Sequence, residues 1–218
     1  MKLPPKVQLT IAILLLGVGI AGLLWAFLPP PQEKIVLPLQ EIRVPLPDSD
    51  QNALLNQAYD IVINLPTALR MGGTSSLTFS LKKSDTPITI SAMDVDMYDH
   101  YLVTVELKPE FSHANLTPPG VMKTSLLAGQ ELSMQWNLQT ETREDTSGTF
   151  WVHFNFITDD ETSPHYRTAV LARFVEIPTQ TLIGLSTRWV AAVSSVFLVI
   201  SLFLGLPNLA VSKEERHD

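Results

Sequence analysis

The amino-acid sequence predicts a mainly β protein, an antiparallel β-sandwich flanked by two transmembrane α-helices. Three observations carry that prediction. Two apolar runs, 7–28 and 189–206, hold no charged residue. Between them, short stretches alternate apolar and polar residues with period two, the pattern of half-buried strands. The chain of 218 residues has no Cys, so disulfides, thiolate zinc sites and iron–sulfur ligation are excluded and the domain rests on its own core.

The first run, VQLTIAILLLGVGIAGLLWAFL, has 22 residues. A hydrocarbon core of about 30 Å needs about 20 helical residues, so it spans comfortably. The second, WVAAVSSVFLVISLFLGL, has 18 and spans if residues 183–186 extend it. Its few polar residues, Ser194, Ser195 and Ser201, do not make the polar stripe of a soluble core helix. Lys2 and Lys6 would also flank a cleaved signal peptide, but the run is too long, and bulky Leu24 and Trp25 occupy the place of a small-x-small site. The first helix is therefore expected to be retained.

Lys2 and Lys6 keep the first segment in the cytoplasm by the positive-inside rule, and a second crossing returns residues 207–218, with Lys213 and Arg216, to the same side. Arg188 runs against the rule. Trp25 and Trp189 fall at one outer interface, where amphipathic indoles settle. The expected organisation is a cytoplasmic tail 1–6, helix 7–28, proline-rich spacer 29–56, extracytoplasmic β-sandwich 57–182, helix 183–206 and cytoplasmic tail 207–218.

Pro29, Pro30, Pro31, Pro38, Pro45 and Pro47 forbid a helix after the first span and favour extended chain. Composition leaves open whether this stretch is a spacer or an edge strand. The following DSDQNALLNQAY reads as a short helical turn capped by Asp48 or Ser49. Six runs then alternate: 59–65, 77–81, 101–107, 132–138, 150–157 and 169–177, with turns at Gly72-Gly73, Pro118-Pro119-Gly120, Gly129 and Gly148. Strands at this spacing without intervening helices point to a sandwich.

Two stretches, INLPTALRMGGTSSLTFSLK and LLAGQELSMQWNLQTETREDTSGTFWVHFNF, resemble the two halves of bacterial immunoglobulin-like modules. Each has a Gly turn followed by an alternating strand, and the second carries a central Trp136 and a Gly-containing hairpin. The resemblance covers roughly 50 residues and lacks the Cys pair of antibody domains. It implies sandwich architecture and an adhesion, spacer or assembly role.

Residues 32–188 carry 11 Lys and Arg against 19 Asp and Glu, a net charge of minus 8. So acidic a domain repels phosphate backbones, which argues against nucleic acid as a partner. The candidate metal ligands are Asp94, Asp96, Asp99 and His100, hard oxygens and an imidazole in one short stretch. Their spacing lacks the Gly and closing Glu of an EF-hand, and period two puts Asp94 and Asp96 on one face of an ordinary solvated edge strand. Asp159, Asp160, Glu161, Glu144 and Asp145 read as hairpin tips.

Gly17, Gly19 and Gly22 match G-x-G-x-x-G, but inside an apolar run that spacing serves helix packing, not a dinucleotide. With Ala21 they form one candidate face, and Ala191 with Ser195 forms another. Trp136 is expected in the core. Phe150 and Trp151 adjoin, so one of them points outward, and the pair marks a possible contact surface. No His pair has metalloprotease spacing and no G-x-S-x-G turn occurs. The expectation is a non-enzymatic envelope protein without cofactor, bound to the membrane and to another membrane or envelope protein. The alternative is a sensor or cation-binding receptor working with a separate cytoplasmic partner.

Overall fold

A computed structural model describes residues 4–46, 50–158 and 165–214. In chain order the elements are α1 (Pro5–Phe27), β1 (Gln32–Pro38), β2 (Arg43–Pro45), β3 (Asn52–Leu54), β4 (Tyr59–Pro66), β5 (Leu69–Arg70), β6 (Thr74–Lys83) and β7 (Asp94–Asp96). A 3-10 turn, Met97–Asp99, follows, then β8 (Leu102–Phe111), β9 (Asn115–Thr117), β10 (Met122–Ser125), β11 (Leu132–Gln139), β12 (Thr146–Ile157), β13 (Tyr166–Ile177), β14 (Thr179–Gln180) and α2 (Thr187–Glu214). The chain is mainly β with several antiparallel sheets and two long apolar helices. It divides into two compact units, one β-rich and one built from α1, α2, the loop Arg70–Gly73 and residues from Gln180 onward.

In the β-rich unit a first sheet runs β1-β4-β6-β11-β9 and a second β10-β8-β12-β13. Every pairing in these two sheets is antiparallel. Their alternating apolar residues meet in one core that includes Ile61, Ile63, Leu77, Phe79, Val103, Val105, Phe154 and Phe156, an arrangement compatible with a β-sandwich. At its centre the rings of Phe79 on β6 and Phe150 on β12 stack at 5.8 Å. Trp136 on β11 meets Phe150 edge to face at 5.9 Å. Both Trp136 and Phe150 are fully buried.

The proline-rich stretch joins the sheet. Ile35 and Leu37 pair with Ile63 and Ile61 and pack on the core. Pro38 closes β1 at the edge, where the missing N–H breaks no inner ladder. The helical turn expected over 48–59 is not formed by the described residues: Asn52–Leu54 is strand β3, antiparallel to β2 and parallel to β7. Ala53, Leu54 and Leu55 are buried there, and this pairing outweighs the helix propensity of Ala and Leu. The proposed caps Asp48 and Ser49 lie outside the described residues, as do Asp159, Asp160, Glu161 and Arg216.

The helical unit contains the two apolar segments, Lys6–Phe27 and Thr187–Gly205. α1 begins with Pro at its first position, where no helical N–H is needed, and stops before Pro29-Pro30-Pro31. Its last carbonyls would be unpaired. Arg70 covers them, its guanidinium donating to the Trp25 and Leu28 carbonyl oxygens and lying 4.9 Å from the centre of the Trp25 ring. The other helix is held at its start, where Thr187 donates to the Met71 carbonyl oxygen from its N–H at 2.8 Å and its hydroxyl at 3.0 Å. The expected extension of α2 through 183–186 does not occur, because Ile183 and Gly184 both take positive φ in a tight turn. The apolar stretch of 19 residues rises about 28 Å, and the helix continues beyond it to Glu214.

Candidate functional site

The acidic cluster does not converge. Among the described residues no group of three or more His, Cys, Asp and Glu is placed to hold a metal ion. The Asp94 carboxylate accepts the Ser91 N–H at 2.7 Å and lies 3.4 Å from Arg43 Nε, its side chain almost fully covered. Asp96 accepts the Tyr98 N–H at 3.0 Å, capping the 3-10 turn, and also the Asn56 side-chain amide. Asp99 and His100 are exposed at the end of that turn. Of the candidate metal ligands Asp94, Asp96, Asp99 and His100, two carboxylates fasten β7 and the turn, and the other two groups are exposed.

The small-residue faces also change phase. A Cβ at Gly19 would come within 2.8 Å of Leu198 Cδ2 and 3.0 Å of the Ser194 carbonyl oxygen, and one at Gly22 within 3.2 Å of Ser194 Cβ. These two glycines let α1 and α2 approach closely. Gly17 has open space around it and Ala21 is exposed. Over 187–205 of α2 the buried positions are Val190, Ser194 and Ser201, whereas Ser195 is exposed and its hydroxyl donates to the Ala191 carbonyl oxygen at 2.8 Å. The buried positions Ala12, Gly19 and Gly22 recur at the three-and-four spacing of one helix seam.

The seam is antiparallel, since Ala12 faces Gly205 while Gly22 faces Val190 and Ser194. A Cβ at Gly205 would lie 4.0 Å from that of Ala12, within the range a disulfide accepts. In a chain otherwise free of Cys, the double substitution Ala12→Cys, Gly205→Cys is expected to oxidise within one chain, read as loss of both free thiols. Adding Gly22→Leu is expected to reduce that yield several-fold by forcing the helices apart.

The outward face of the second sheet gathers the most chemistry. Period two turns Phe150, Val152, Phe154 and Phe156 into the core and Trp151, His153 and Asn155 outward. Phe150 is thereby corrected: it leaves the candidate contact surface, and Trp151 remains on it, half-buried and stacked on His153 at 6.1 Å. Register sets Trp151 beside Lys108 and Ala172, and His153 beside Glu106. Phe174, opposite Thr149, is 64% exposed.

Glu106 lies at the centre of this face with its side chain 8% exposed. Lys123 Nζ is 3.0 Å from one carboxylate oxygen and Arg167 Nη2 is 2.8 Å from the other, with Asn155 Nδ2 at 3.5 Å. Burial alone would raise the Glu106 pKa, but the Lys123 hydrogen bond and the Arg167 charge outweigh it and hold the carboxyl below its usual range. Beside the trio is a groove of about 530 Å³ lined by Thr104, Lys123, Ser125, Asn155, Ile157 and Arg167, among others.

Burial, then the Arg167 and Lys108 charges, push the His153 pKa below its ordinary 6.5, against the opposing pull of Glu106. Its Nδ1 is buried without a hydrogen-bond partner. As pH falls through about 6.5 the unfolded chain takes up this proton before the folded one, so stability declines. Glu106 works in the same direction at lower pH: its ion pairs stabilise fully above the ordinary carboxylate value and are lost as pH falls through its depressed one. The urea midpoint is expected to fall between about pH 7 and 5.5, and His153→Gln to abolish that first decline while leaving the more acid limb.

No protein-family model matches the sequence, and no curated protein matches it. Geometry therefore carries the functional reading. The Glu106, Lys123 and Arg167 trio is not legible in sequence because its members sit on three strands, β8, β10 and β13. Register brings them together: Lys123 pairs with Glu106, and Arg167 with Asn155, which pairs in turn with Thr104 on the strand of Glu106.

Proposed function

We propose that the chain is a two-pass membrane protein with the segments before α1 and after α2 in the cytoplasm. An immunoglobulin-like sandwich lies outside the cell membrane and docks or helps assemble another membrane or envelope protein, without catalysing a reaction. The membrane reading draws support from the bare apolar surface of both helices: Phe27 is 74% exposed and Phe203 72%, a surface suited to lipid and costly in water. The immunoglobulin-like reading draws support from strand order. β4-β6-β11-β9 and β10-β8-β12-β13 follow the A-B-E-D and C′-C-F-G sheets of such domains. Two departures are the extra edge strand β1 and the order of β9 and β10 along the chain.

The observation that carries the interaction role is the outward face of the second sheet, where Trp151 and Phe174 present aromatic surface beside a charge trio. Aromatic anchors ringed by polar groups are the usual anatomy of a protein contact. The cation-receptor alternative draws no support from Asp94 and Asp96, which are engaged by Arg43 and Asn56. A photo-crosslinking amino acid at position 151 in native membranes tests the role, with Gln135, exposed on the first sheet, as the control site. A discrete adduct from 151 is expected. No adduct from 151 beyond that from 135 would contradict it.

A further inference from the structure

We infer that the groove over β8 and β10 receives the carboxylate side chains of an extended acidic segment of a partner protein. The inference rests on the interaction role proposed above and names the partner's chemistry.

The charge balance points to an anion. Among the described residues, Lys123 and Arg167 both contact Glu106, so two positive charges share one negative charge. Their side chains are still 63% and 53% exposed, while the carboxylate between them is almost wholly covered. Arg167 uses one nitrogen on Glu106, leaving donors of its planar fork to pair with an incoming carboxylate. His165 stands in the lining, and none of the described lining residues is acidic. This is a cationic recess on a chain of net charge minus 7, and a buried Glu106 keeps both cation heads in place before anything binds.

The shape points to an extended segment. β10 is the outer strand of its sheet, bonded to β8 alone in the sheet order, and its other side offers backbone N–H and C=O groups in the manner of edges that accept an added strand. Lys123 pairs with Glu106 and Ser125 with Thr104, so both face outward. A strand laid along β10 would turn every second side chain over the same face. Arg167 reaches from β13 to Glu106 on β8, so the two cation heads meet where such side chains arrive.

The test titrates the full chain in detergent with a labelled peptide of alternating Glu and Val, beside its Gln-Val counterpart and free succinate. Saturable binding of the Glu peptide alone is expected, weakening with salt and about tenfold weaker in Lys123→Gln and in Arg167→Lys. Arg167→Lys keeps a cation on Glu106, and an unchanged melting temperature separates lost recognition from lost folding. Equal binding of the Gln peptide, or none of either, overturns the inference. If an adduct from position 151 nevertheless forms, the interaction role stands and only the acidic partner falls. Succinate competing as well as the peptide would assign the groove to small carboxylates and overturn the extended segment.

Discussion

Replacing Trp136 by Ala is expected to destabilise the β-rich unit by about 3–5 kcal/mol, the range for truncating a fully buried aromatic residue. The indole is 0% exposed and sits against Phe150, which in turn stacks on Phe79. Trp136 and Phe79 belong to the first sheet and Phe150 to the second, so this aromatic trio joins the two layers. Removing the indole loses its transfer free energy and leaves a cavity that strands fixed on both sides cannot close. Urea unfolding followed by far-ultraviolet circular dichroism measures the cost without needing the lost fluorophore. A change below about 1 kcal/mol would mean the layers are not held by this contact.

Gly148→Ala is expected to cost nearly as much by the opposite route, about 3 kcal/mol. Gly148 on β12 stands opposite Phe111 on β8. A Cβ there would overlap the Glu110 carbonyl oxygen and lie 2.7 Å from Phe111 Cα. Both obstacles are backbone, so no side chain can rotate out of the way, and β8 and β12 must part. Since β12 also pairs with β13, the disturbance reaches the whole second sheet. The same unfolding measurement applies, and an Ala variant as stable as the parent would contradict the close approach. At Gly120, by contrast, there is open space but a positive φ, so Ala there costs only backbone strain.

The six alternating runs correspond to β4, β6, β8, β11, β12 and β13 because period two is written into residues whose apolar members share one core. The short strands β2, β3, β7, β9 and β10 are three or four residues each, too short for alternation to register. β1 is hidden by Pro38 and the prolines that flank it, which signal extended chain and leave its pairing with β4 undetermined. The helix seam was half legible: small residues at close spacing announce packing, yet the spacing alone does not choose Gly19 and Gly22 over Gly17 and Ala21. That choice depends on where Ser194 and Leu198 of the facing helix lie. In the acidic run Asp94–Asp99 the engagement of Asp94 by Arg43 and of Asp96 by Asn56 and a backbone N–H is invisible in sequence, because Arg43 and Asn56 lie 51 and 40 residues upstream. The recess around Glu106 is hidden likewise, because its chemistry depends on register across three strands.

The proposed topology, in which α1 and α2 cross one membrane and leave the β-rich unit outside the cell, is open to a direct test. The absence of Cys makes single-thiol labelling direct. Gln135→Cys on the exposed side of β11 and Lys6→Cys at the start of α1 are made separately and treated in intact cells with a membrane-impermeant maleimide. Position 135 is expected to be labelled at once and position 6 only after lysis. Protection of position 135 until lysis, or labelling of position 6 in intact cells, would contradict the proposed topology.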